Sequence, residues 1–221
     1  MKSNSNKREK SCSNSWITQG FEAFRAGQFG NGGQNIYVSK KGCLQRIHQT
    51  DIIRNGYADL VFCNSQNHEE FVPIDVYPEP LQHPEISVKL HVGGACSGVV
   101  ADISGDGWED MAWGCAWDGM TLLNNSVIFY GSEEGLNNHY LKYLPAPLST
   151  AVAAGDFNGD GKVDLVFYSK GKLLVFSQSD NGFEDKECQS YEIPDVKQLL
   201  AIKETTNPCS DLIIRKQDGT C

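Results

Sequence analysis

Short apolar runs recur along the chain, and each follows a turn that is rich in Asp and Gly. The three clearest runs occupy residues 60–62, 111–113 and 165–168. A continuous apolar run of this length is typical of a β-strand that is buried on both faces. Further strands are predicted at residues 71–77, 126–130 and 172–176, with turn residues between them. Since no segment has a sustained helical period, we predict an all-β fold.

The turns before these runs share one arrangement of oxygen-bearing side chains. In residues 102–110 and 156–164, Asp, Asn or Ser occupies positions 1, 3, 5 and 9, and Gly occupies positions 4 and 6. A degenerate copy lies at residues 51–59, and a fourth copy at residues 203–211 has lost the pattern. The copies begin about fifty residues apart, and a fixed period of that length indicates a repeat architecture.

The two intact loops have the composition of calcium sites. Calcium takes about six to eight oxygen ligands, and alternating acidic residues on a curled backbone supply several at once. Ser104 is the weakest of the predicted donors and acts either directly or through a water. We therefore expect one calcium ion in each intact loop. The expected ligands are Asp102, Ser104, Asp106, Asp110 and the Trp108 carbonyl in the first loop, and Asp156, Asn158, Asp160, Asp164 and the Lys162 carbonyl in the second.

Other interpretations of these loops fit the sequence less well. An EF-hand needs Glu at loop position 12 and a following helix, whereas Trp113 and Phe167 stand there inside apolar runs. Dockerin-type loops also lead into helices, and a phosphate loop would need Gly at position 156 and Ser or Thr at 163. A pair of ion-free Asp-Gly turns is the remaining alternative. We expect the degenerate copies to keep the turn alone, because Ile53 and Lys203 stand where oxygen ligands are needed.

The loops and the strands after them resemble the FG-GAP/VCBS repeat, the blade of integrin-alpha-like β-propellers. Residues 154–167 fit that pattern closely, residues 101–112 fit it well, and residues 51–62 fit in outline. The resemblance implies a propeller of about three to four blades over residues 16–221, in which calcium binds the loop between the first two strands of a blade. Because integrin-like propellers usually have more blades, we expect a fragment of a larger propeller. An incomplete array that closes with another chain is the alternative, and its open blade edges would favour self-association.

Composition narrows the class of partner and the location. The net charge of −9 argues against nucleic acid as a partner. Residues 1–15 are polar and basic and are predicted to be a disordered tail rather than a signal peptide. No apolar run is long enough to span a membrane, and the eight cysteines do not decide the redox compartment. The resemblance implies an extracellular or cell-surface protein, although no signal peptide is visible in this chain.

Enzyme motifs are absent from the sequence, so we favour a non-catalytic module for protein or glycan recognition, stabilised by calcium. Cys96 lies in a Gly-rich segment, but a loop entering a strand explains that segment better than a thiol nucleophile does. The alternative is the propeller portion of a carbohydrate-active enzyme, such as a polysaccharide lyase, or a lectin. A glycan-binding protein should expose aromatic side chains between blades. The candidates are Tyr57, Trp108, Trp113 and Trp117, of which Trp113 is expected in the core.

Overall fold

A computed structural model of the chain describes residues 36–40, 43–50, 59–63, 73–77, 87–116, 124–184, 188–204 and 206–221. The predicted tail at residues 1–15 lies outside these ranges. So do residues 51–58 of the first degenerate loop, and with them Ile53 and Tyr57, as well as Trp117. Within the described ranges the chain forms β-strands and no α-helix, which confirms the predicted all-β class. Among these residues there is accordingly no helix long and apolar enough to cross a membrane.

The strands follow one another in short antiparallel steps. They are β1 (Ile36–Lys40), β2 (Cys43–Thr50), β3 (Asp59–Cys63), β4 (Ile74–Tyr77), β5 (Val88–Leu90), β6 (Ala95–Ala101), β7 (Asp110–Cys115), β8 (Ser126–Phe129), β9 (Leu141–Leu144), β10 (Ser149–Gly155), β11 (Asp164–Ser169), β12 (Lys172–Phe176), β13 (Cys188–Glu192), β14 (Val196–Lys203) and β15 (Ser210–Lys216).

These strands form four separate sheets in chain order. Strands β6–β9 and β10–β13 make two four-stranded sheets in which each strand pairs with the next. The sheet before them has five strands, β1–β5, because β1 adds to the free edge of β2. The last sheet consists of β14 and β15 among the described residues. Among the described residues, the second and third sheets therefore have the four strands of a typical propeller blade.

Neighbouring sheets pack face to face, and successive residues of β7 and β11, the strands after the two intact loops, point to opposite neighbours. In β7, Met111 and Trp113 pack with the first sheet, whereas Ala112 packs with the third. In β11, Phe167 packs with the second sheet and Val166 with the fourth. Strand β10 also contacts both β6 and β14, the first strands of the flanking repeats. Open sheets stacked in this way are consistent with the blades of a propeller fragment, and the burial of β7 on both faces confirms the prediction from the apolar runs.

Trp113 is the largest side chain of this core, as expected, and is fully buried. It faces Gly98 across the β6–β7 pair, and its ring atoms come within 2.4 Å of where a Cβ on Gly98 would lie. Only Gly leaves room for the indole at this point in β6. Trp113 is therefore a packing residue and no longer a candidate for glycan contact.

The free face of the last sheet carries exposed apolar residues. Ile213 occupies the place in its repeat that Ala112 and Val166 occupy in theirs, two residues after the last Asp of the loop pattern. Ala112 and Val166 are buried against the next sheet, whereas Ile213 is 38% exposed and its cross-strand partner Leu200 is 52% exposed. This face thus has the composition of a blade-packing surface.

Candidate metal centre

Both intact loops curl around the carboxylate of their first residue. Asp102 accepts hydrogen bonds from the backbone N–H groups of Gly105 (2.8 Å) and Gly107 (3.0 Å). The two glycines have φ values of 76° and 98°, in the left-handed region that side chains with a Cβ disfavour. The Gly residues at positions 4 and 6 therefore let the chain wrap closely enough for one carboxylate to bind two backbone donors.

The second loop repeats this arrangement almost bond for bond. Asp156 accepts hydrogen bonds from Gly159 (2.7 Å) and Gly161 (3.1 Å), whose φ values are 80° and 85°. In both loops the residue at position 5 accepts the N–H of position 7 at 2.8 Å, which joins Asp106 to Trp108 and Asp160 to Lys162. The two segments thus share one backbone conformation at equivalent places on adjacent sheets, as their aligned sequences predict.

The Asp at position 9 anchors each loop to the sheet. Asp110 is fully buried. It accepts hydrogen bonds from the backbone N–H groups of Ser104 (2.7 Å) and of Gly131 just beyond β8 (2.7 Å). Asp164 is also fully buried. It accepts hydrogen bonds from Phe157 at 3.0 Å and from Gln178 just beyond β12 at 3.1 Å. One carboxylate therefore holds the loop, the second strand and the end of the third strand together.

The remaining predicted ligands lie at the exposed side of each loop. Asp106, Asn158 and Asp160 are exposed, and the Asn158 amide donates to Asp160 at 3.0 Å. Ser104 is the exception, because its hydroxyl is buried without a hydrogen-bond partner. A buried hydroxyl in this position is the kind of polar atom that a bound ion or water satisfies.

Charge in the loops is only partly compensated by hydrogen bonds. Burial raises the pKa of Asp110 above its usual range, and the neighbouring Asp106 adds to the effect. Burial likewise raises the pKa of Asp164, with a contribution from Asp160. Carboxylates at positions 5 and 9 therefore stand close enough to repel each other. This donor set suits a hard cation, which would offset both the burial and the repulsion.

The structure brings the predicted side chains of each loop together without forming a tight cluster. In the part of the chain that is described, no three His, Cys, Asp or Glu side chains lie as close together as the ligands of a metal site. Each loop has three Asp carboxylates among its predicted ligands, and the other predicted donors are Ser104, Asn158 and the backbone carbonyls of Trp108 and Lys162. Position 9 turns toward the sheet and position 5 is exposed in both loops, whereas position 3 is exposed in Asn158 and has a buried hydroxyl in Ser104.

Three contacts around the second loop could not be predicted from the loop motif itself. The Lys203 ammonium lies 3.5 Å from Asp156, and the Ser210 N–H donates to the Asp156 carbonyl at 2.6 Å. On the other side, the Lys162 ammonium pairs with Asp180 in the turn after β12. Burial by itself would raise the pKa of Asp156, but the Gly159 and Gly161 N–H groups and the Lys203 charge outweigh it and hold that pKa below its usual range.

A groove of about 790 Å³ with a mixed polar and apolar lining lies between the two loops. The first loop contributes Asp102 and Ser104, and the second contributes Lys162. Tyr130 forms part of the lining from the second repeat, and the turn after β12 supplies Gln178 and Asp180. Trp108, the remaining aromatic candidate among the described residues, is half-buried and does not line this groove. The volume lies within the range of about 300–1,000 Å³ that small-molecule sites occupy.

Comparison with known proteins identifies the repeat unit. No curated protein matches the chain. The family model of the FG-GAP repeat matches residues 149–176, which comprise β10, the second intact loop, β11 and β12. The resemblance inferred from the loop pattern is thereby confirmed, and residues 149–176 of this all-β chain are an FG-GAP repeat.

Proposed function

We propose that this chain is a non-catalytic, calcium-binding β-propeller module for the recognition of a protein or glycan ligand, in which calcium has a structural role. The observation that carries the proposal is the shared conformation of the two loops, each wound on Asp at position 1 and anchored by a buried Asp at position 9. Each loop also has three Asp carboxylates at matching positions, and such carboxylates repel one another without a cation.

The loops would hold the ion through the side chains at positions 1, 3, 5 and 9 and the carbonyl at position 7. Calcium would supply two positive charges to a segment with three Asp ligands. The protein contributes the fixed backbone: the Gly105 and Gly159 turns orient the first carboxylate, and the Asp110 and Asp164 anchors hold the loop on its sheet. Calcium would thus bind to loops whose backbone conformation these hydrogen bonds already fix.

Calorimetric titration of the metal-free protein with calcium is expected to give a stoichiometry near two. Asp106→Ala and Asp160→Ala should each remove one site, because each deletes one side-chain ligand from one loop while leaving its buried anchor in place. The degenerate copies should not bind, since Ile53 offers no oxygen and Lys203 carries a positive charge. A stoichiometry of three or four would contradict the ligand rule, and no binding would contradict the calcium proposal.

The groove between the loops is the best place for ligand recognition. Its lining combines one aromatic ring, an amide and paired charges, a mixture that suits the hydroxyl groups and apolar ring faces of a carbohydrate. Because both calcium loops form its walls, metal binding would also fix its shape. This observation favours a glycan over a protein as the ligand, and a lectin over a lyase.

Screening against a glycan array with and without calcium tests this assignment. Gln178→Ala and Asp180→Asn are expected to weaken binding of any captured glycan by roughly three- to ten-fold, the effect of losing one hydrogen bond. Gln217→Ala is the matched control, because this exposed amide lies away from the groove. Glycan binding that is unchanged by both groove variants would place the ligand elsewhere, and a protein ligand would be indicated if no glycan bound.

The lyase alternative finds less support at this groove. Lyase chemistry needs a basic group that is free to take a proton in an open cleft. Lys162 is the basic residue that lines the groove, and its ammonium is held by the Asp180 carboxylate. The chain therefore offers a binding surface here rather than a general base.

Two further parts of the proposal rest on the repeat and on the sheet edges. FG-GAP repeats are typical of extracellular proteins, so we place this protein outside the cell or at its surface. Self-association through open blade edges stays a prediction, supported by the exposed apolar face that Leu200 and Ile213 form on the last sheet.

A further inference from the structure

Lys203 ends strand β14 in the fourth repeat, yet its side chain reaches the loop of the third. Its Nζ lies 3.5 Å from Asp156 Oδ2, the same oxygen that accepts the Gly161 N–H. The Asp156 side chain is only 8% exposed, whereas that of Lys203 is 57% exposed. The ammonium therefore approaches the first predicted metal ligand of this loop from the solvent side.

The fourth repeat also contacts this loop through its backbone. The Ser210 N–H donates to the Asp156 carbonyl at 2.6 Å, and Cys209 Sγ lies 3.0 Å from where a Cβ on Gly159 would be. Lys203 and Ser210 are themselves paired across β14 and β15. The ammonium is consequently held beside Asp156 by a hairpin that packs on the loop, rather than by a free chain end.

The two intact loops differ at this point. When the repeats are aligned on the Asp that begins each post-loop strand, Lys203 falls at position 1 of the fourth copy, and Asp156 falls at position 1 of the third. Position 1 of the repeat that follows the loop is therefore an Asp after the first intact loop and a Lys after the second. The Lys at this position contacts the second loop, since its ammonium lies 3.5 Å from Asp156.

We propose that Lys203 is a built-in cation for the loop at residues 156–164, which balances Asp156 when calcium is absent and weakens calcium binding when it is present. The inference rests on the proposed calcium function. A divalent ion liganded by Asp156 would lie close to the Lys203 ammonium. Calcium binding is therefore weakened either by repulsion between the two positive charges or by the cost of moving Lys203 away from the loop. Calcium binding at this loop is then coupled to the contact between the third and fourth repeats.

The test isolates one loop at a time by calorimetric titration with calcium. In an Asp106→Ala background, which leaves the second loop to bind, Lys203→Met should raise the calcium affinity about five-fold, the upper range for one exposed charge pair. The gain should shrink at high salt, because salt screens exposed charges. Lys197→Met is the matched control on the same strand and should leave the affinity unchanged. In an Asp160→Ala background, which leaves the first loop to bind, Lys203→Met should have no effect.

A second readout does not depend on calcium. Lys203→Met should lower the melting temperature of the calcium-free protein more than Lys197→Met does, because Asp156 loses its counter-charge. Lys203→Gln, which keeps a polar side chain of similar reach, should behave like Lys203→Met in both measurements. Calcium binding that is equal in the Lys203 and Lys197 variants would overturn the inference and leave the calcium function standing. Absence of calcium binding in every variant would overturn both.

Discussion

Removal of calcium is expected to lower the melting temperature of this protein by roughly 10–20 °C. An ion present at about 100 times its dissociation constant adds about 2.7 kcal/mol of stability, so two ions add about 5 kcal/mol. For a domain of about 150–250 residues, each kcal/mol moves the melting temperature by about 2–4 °C. The measurement is a thermal scan by circular dichroism in excess chelator and in excess calcium.

Single-loop variants should divide this shift into two parts. Asp160→Ala should remove about half of the calcium-dependent increase, because it leaves the first loop intact, and Asp106→Ala should remove the other half. Magnesium is the control cation, since it demands a smaller octahedral site and gives up its waters reluctantly. A melting temperature that responds to neither chelator nor calcium would exclude a structural role for the ion.

The repeat motif and the apolar runs predicted much of this fold because both are local signals. Asp and Gly at fixed positions predict the turn, and the run after it predicts a strand buried on both faces. The structure confirms both in the second and third repeats, where Asp110 and Asp164 begin the strands β7 and β11. Trp113 was correctly expected in the core for the same reason.

Contacts outside the loop motif and the strand that follows it could not be predicted in this way. The hydrogen bond from the Gly131 N–H to Asp110 depends on where the third strand of the sheet ends. The equivalent donor in the next repeat is the backbone N–H of Gln178. Because only the backbone takes part, the two positions share no residue type that a motif could show. From the sequence, Lys203 was expected only to prevent the fourth loop from binding calcium. Its place beside Asp156 follows from the packing of one repeat on the next, which a single motif does not encode.

The Asp at position 9 has a second role that does not require metal, and this role leads to the other large effect. Asp164 is fully buried and accepts backbone N–H groups from Phe157 and Gln178. In Asp164→Ala these partly buried donors lose their acceptor, and a fully buried donor without a partner costs about 1–3 kcal/mol. We expect Asp164→Ala to lower the free energy of unfolding by about 3 kcal/mol in calcium-free buffer.

Asp160→Ala is the matched control, because it removes a predicted ligand of the same loop from an exposed position. Its partners, the Lys162 N–H and the Asn158 amide, are at the surface and can bind water instead. Its cost without calcium should stay within about 0.5 kcal/mol, as for most surface substitutions.

Urea denaturation in chelator, repeated with the pair Asp110→Ala and Asp106→Ala in the first loop, measures the difference directly. Equal destabilisation by the position-5 and position-9 variants would show that the buried Asp is not an anchor. A large difference without calcium, together with loss of about half of the calcium effect in each of the four variants, would establish that position 9 both anchors the loop and is needed for the ion, whereas position 5 is needed for the ion alone.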